Sequence, residues 1–107
     1  MICLEIISVR TATCEEAMTA LELCQSIRSS NPSAGPGLDL KVYCSVSYET
    51  DLSVHIRWEA SGGRQDKSTL GLELVSAFSS LGLVNHTVWR EVLPGKAAAR
   101  VHRQGLM

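Results

Sequence analysis

Apolar and polar positions alternate from residue 2 to residue 10, with Ile2, Leu4 and Ile6 on one parity and Cys3, Glu5, Ile7 and Val9 on the other. A period of two marks a strand. Thr13, followed three residues later by Glu16, has the spacing of a capping box. Beyond it Ala17, Leu21, Cys24 and Ile27 recur at helical intervals, widened by Met18, Ala20 and Leu23, which predicts a helix over 14–29. Pro32, Gly35, Pro36 and Gly37 then interrupt any regular element, so 29–37 reads as an irregular loop. The period of two returns with Leu40, Val42, Cys44 and Val46 set against Lys41, Tyr43, Ser45 and Ser47. It repeats with Leu52, Val54, Ile56 and Trp58 against Ser53, His55, Arg57 and Glu59, and the two runs form a hairpin turning near 49–51. After a polar loop at 61–67, Ser68 or Thr69 caps a second helix whose buried stripe is Leu70, Leu74, Phe78 and Leu81, with Gly82 as its end. The last strand covers 83–92, with Val84, Val88 and Val92 opposite Thr87 and Trp89, and Pro94 and Gly95 stop it.

Strand, helix, strand, strand, helix, strand is the ferredoxin-like βαββαβ plan, an α+β class with a four-stranded antiparallel sheet and two helices on one face. One such domain is expected over 1–93, with a tail at 94–107 that packs on a partner subunit. The expected helix-covered face is the uniformly apolar one: Ile2, Leu4, Ile6, Leu40, Val42, Val46, Val54, Ile56, Trp58 and Val88. Its opposite then carries Glu5, Ile7, Val9, Tyr43, Ser45, His55, Arg57, Thr87 and Trp89. That mixture suits a surface buried against another protein. It predicts a homodimer through Glu5, Tyr43, His55, Arg57 and Trp89, with Glu5 paired across strands to Arg57 or His55.

A chain of 107 residues removes only about 60–70% of its unfolded surface from water, so a partner adds useful burial. With 10 Lys and Arg against 11 Asp and Glu, there is no basic field to hold nucleic acid or an anionic membrane. The expectation is no nucleic-acid partner, no membrane span and a cytoplasmic location, since no signal-like run is present and no segment approaches 18 apolar residues. Cys3, Cys14, Cys24 and Cys44 show no CxxC spacing and read as small hydrophobes in a reducing compartment; Cys14, at a helix start, is the one thiol placed for reactivity.

Two stretches carry a family likeness: His55, Ile56, Arg57, Trp58 and Glu59 closing the third strand before a loop, and the run from Leu70 to Val92 that includes Val88, Trp89, Arg90 and Glu91. In these the chain, over 1–92, resembles the antibiotic biosynthesis monooxygenase-like proteins of the dimeric α/β barrel superfamily. The resemblance implies a homodimer whose sheets face each other, with an apolar pocket between sheet and helices. It also implies oxidation of aromatic substrates without metal or flavin, and Trp58 stands where the family commonly has a Trp. The second helix contains no His, so the haem-degrading set of some relatives is not assembled. The expected site is therefore Trp58 and Phe78 as walls for a small apolar or aromatic ligand, His86 or His55 for proton removal, and no metal or other cofactor. The alternative is a non-catalytic ligand-binding or dimerisation module of the same fold.

Overall fold

The computed structural model describes residues 1–30, 38–60 and 67–92. Its elements are β1 (Ile2–Thr11), α1 (Cys14–Ser30), β2 (Asp39–Cys44), β3 (Asp51–Glu59), α2 (Thr69–Phe78) and β4 (Gly82–Arg90). The strands form one antiparallel sheet in the order β2-β3-β1-β4, so the ferredoxin-like α+β plan holds. The expected loops at 31–37 and 61–66, the break at Pro94 and the partner-packing tail lie outside the described residues.

Both helices start on side-chain caps. Thr13 and Glu16 form the reciprocal box, each backbone N–H donating to the other's side-chain oxygen at 3.2 Å. Ser68 is the cap of α2, its hydroxyl oxygen accepting from the Gly71 N–H at 2.9 Å. Leu70, Leu74 and Phe78 are buried as the stripe predicts. From α1 only Ala17, Ala20 and Cys24 are buried, whereas Met18 and Leu21 are exposed. Gly82 does not end the helix: α2 stops at Phe78, and Ser79 caps it in right-handed geometry. Gly82 instead opens β4, where a Cβ would stand 2.1 Å from the Arg10 carbonyl oxygen, so only glycine permits this approach to β1.

The register assigns the two faces of the sheet, because residues directly opposite each other on antiparallel strands point to the same side. Ile7 faces Val54 and His86, Glu5 faces Ile56 and Val88, and Leu40 faces Ile56. The helix-covered side of β1 is consequently Cys3, Glu5, Ile7 and Val9, all buried. This reverses the expectation for that strand, since Ile2, Leu4 and Ile6 lie on the open side with Lys41, Tyr43, His55, Arg57, Thr87 and Trp89. The cause is compositional: both parities of β1 are largely apolar, and the single carboxylate marks the wrong one for solvent because it has buried partners. A one-position change of parity moves every side chain to the other face. Two further differences lie at strand ends. β2 stops at Cys44, leaving Val46 fully exposed, and Val92 falls beyond β4 and is exposed.

Candidate active site

Glu5 lies at the centre of the helix-facing side with 0% of its surface accessible. A carboxylate removed from water is costly unless donors replace its hydration, and three converge on it. The Ser68 hydroxyl donates to Oε1 at 2.6 Å, and the Ser68 backbone N–H lies 3.3 Å from Oε1 and 3.2 Å from Oε2. The third partner is Nε2 of His86, in a short contact with Oε2. The imidazole side chain is itself only 7% exposed. Three elements build this cluster: β1 supplies the carboxylate, β4 the imidazole and the start of α2 the hydroxyl and backbone donor, whose position also suits the positive end of the helix dipole. Among the described residues no buried side-chain nitrogen or oxygen lacks a partner.

The structure joins two residues that the sequence had placed on opposite faces. Glu5 was expected at an interface, paired to Arg57 or His55; it turns inward to His86, and Arg57 pairs with Glu91 at 3.2 Å. Ser68 was legible only as a helix cap, and its second role had no separate sequence signal. The usable signal was a lone Glu in an apolar strand together with a His on a core-facing parity.

His55 and His86 stand on opposite faces of the sheet and cannot serve one bound molecule. On the open face His55 contacts the Tyr43 ring, centroids 4.6 Å apart, and its Nε2 lies 3.0 Å from Ser53 Oγ. Partial burial holds its pKa below the ordinary histidine value. Phe78 is fully enclosed in the core, and half-buried Trp58 packs against that core from β3. Two of the hollows among the described residues open elsewhere. One of about 400 Å³ lies between α1 and β2 beside Leu21, Cys24, Leu40 and Val42, and the other, about 290 Å³, lies at the sheet end beside Arg10, Leu83 and Asn85.

The four cysteines are free thiols, Cys3 and Cys24 buried and Cys14 and Cys44 exposed. The helix start does not lower the Cys14 pKa: its thiol donates to the Glu49 carboxylate at 3.1 Å, and that bond raises the pKa above the ordinary value. Among the described residues there is no group of three potential metal ligands, and no helix long and apolar enough to cross a membrane.

No protein-family model matches the chain, and no curated protein matches its sequence. Solved structures do match. A "Putative antibiotic biosynthesis monooxygenase" from Nitrosomonas europaea superposes with a TM-score of 0.63 at 11% identity, covering 87% of this chain and 92% of its own. A conserved protein from Methanosarcina mazei Go1 gives 0.63 at 14% identity, with coverage of 86% and 94%. SnoaB, a cofactor-independent oxygenase from Streptomyces nogalater, gives 0.51 at 12% identity, with coverage of 87% and 96%. The chain shares the four-stranded, two-helix fold of solved structures named "putative antibiotic biosynthesis monooxygenase".

Proposed function

We propose that this protein is a homodimeric, cofactor-independent monooxygenase acting on a small aromatic compound, with His86 as the group that accepts a substrate proton. The observation carrying this reading is the enclosed Glu5–His86 pair on the helix-facing side of the sheet. A carboxylate bonded to one imidazole nitrogen orients the ring and stabilises the imidazolium that proton transfer creates. Deprotonating a phenol makes its ring electron-rich enough to react with dioxygen directly; one oxygen atom enters the ring to give a quinone and the other leaves as water with two substrate hydrogens. Trp58 is the proposed aromatic wall beside the substrate, and Phe78 backs it from the core. The similarity to SnoaB supports the absence of metal or flavin in this reading.

The proposed dimer forms through the open face, where Leu4, Ile6, Tyr43, His55, Arg57 and Trp89 lie and Trp89 is 58% exposed. The tail at 94–107 is proposed to pack on the partner. A second reading, a non-catalytic ligand-binding or dimerisation module, is favoured by one observation: the Glu5 cluster is fully enclosed and ties α2 to the sheet.

Oxygen uptake with a panel of naphthols and polycyclic phenols, in chelator and without added flavin, separates the two. The expected result is turnover that is lost in His86→Gln with folding retained. No uptake by any phenol, from protein that sediments as a dimer, favours the module. A wild-type protein that sediments as an 11.6 kDa monomer at micromolar concentration overturns the dimer.

A further inference from the structure

The atom of His86 that can take a proton follows from Ser68, two hydrogen bonds away through Glu5. The Ser68 hydroxyl oxygen accepts the Gly71 N–H at 2.9 Å, so its single proton is directed to Glu5 Oε1 at 2.6 Å. The Ser68 backbone N–H, which can only donate, faces the same carboxylate. Two fixed donors therefore meet Glu5 on the Ser68 side. With Glu5 ionised, its oxygens can only accept, so the contact at Oε2 makes Nε2 of His86 the donor. Gly71 makes the seating possible, because a Cβ at that position would lie 1.8 Å from Oε2.

We infer that Ser68 and Gly71 are positioning residues which, through Glu5, place the imidazole proton of His86 on Nε2 and leave Nδ1 as its basic nitrogen. The chemical use of Nδ1 rests on the reading of His86 as a proton acceptor, whereas the tautomer itself does not. The arrangement differs from a Ser-His-acid triad. Here the carboxylate stands between serine and histidine, so the imidazole does not contact the hydroxyl and the serine is not activated as a nucleophile. The atom assigned for chemistry is a nitrogen base, and the substrates that suit it are acids such as phenols and enols rather than esters or amides.

Glu5→Gln tests the assignment with almost no change of shape. Its amide oxygen must turn to the two Ser68 donors, which presents the NH₂ to Nε2 of His86; Nε2 then accepts and the ring proton moves to Nδ1. Long-range ¹H–¹⁵N correlation at pH 8 reads the tautomer in the full-length protein. The expected result is a protonated Nε2 and a bare Nδ1 in wild type, the reverse in Glu5→Gln, and the wild-type pattern in Ser68→Thr, which keeps the hydroxyl. A wild-type spectrum with the proton on Nδ1 overturns the inference, whether or not the variants fold. A folded Glu5→Gln variant that keeps the wild-type tautomer also overturns it. The expected tautomers in a protein that turns over no phenol uphold this inference and remove the enzymatic reading.

Discussion

Gly71 stands directly against the carboxylate of Glu5, with no room for even one carbon between the α2 backbone and Oε2. Alanine at this position gains about 1 kcal/mol in helix propensity. It also forces a buried, fully bonded carboxylate to move, and overpacking of this kind costs about 1–3 kcal/mol before any lost hydrogen bond is counted. The second effect wins. Gly71→Ala is expected to lower stability in urea unfolding despite its better helix propensity, and a stabilised variant would contradict the close contact.

Ser68 and Thr13 both cap helices, yet their removal should differ. Thr13 belongs to an exposed box, so Thr13→Ala is expected to cost about 1 kcal/mol. Ser68→Ala loses a similar cap and also withdraws a donor from a buried carboxylate, which adds about 1–3 kcal/mol. Parallel urea titrations of the two variants check the difference. Equal losses would mean that the Ser68 hydroxyl bond to Glu5 contributes nothing.

Burial holds the folded pKa of His55 below its ordinary value of 6.5. Between that value and the lower folded one, the unfolded chain binds more protons than the native protein. Stability therefore rises with pH through this window and is lost as pH falls from about 6.5 through the folded pKa. The contrast with a neutral variant isolates the effect from other groups. Tm measured from pH 7.5 down to pH 5 is expected to fall more steeply in wild type than in His55→Gln, and superimposable curves would contradict it.

Cys14 shares its thiol proton with Glu49, and that bond is the largest cause of its raised pKa. Because the thiolate is the reacting form, Glu49→Gln is expected to speed alkylation of Cys14 by iodoacetamide several-fold at pH 8. Peptide mass mapping assigns the modified residue, which separates Cys14 from the other exposed thiol, Cys44. An unchanged rate would show that Glu49 does not restrain the thiol in solution.

The order and kind of the elements were written in local pattern. Thr13 with Glu16 announced α1, the stripe Leu70, Leu74 and Phe78 announced α2, and alternation from Leu52 to Trp58 set the inner and outer sides of β3. Each depends only on residues within a turn or two of one another. The facing of β1 was not local, because Ile2, Leu4 and Ile6 and Cys3, Ile7 and Val9 offer two apolar faces of similar quality. It was decided by partners 81 and 63 positions away: His86 and Ser68 make the inward side of Glu5 cheaper to bury than the sequence suggested. The same distances explain the candidate site. A histidine on core-facing parity was visible at 86, but its carboxylate partner and the serine behind that carboxylate meet only when β1, β4 and the start of α2 converge. Hydrophobic periodicity therefore determined this protein's elements and their order, and tertiary register decided which face of β1 holds the core and that a buried charge could be satisfied there.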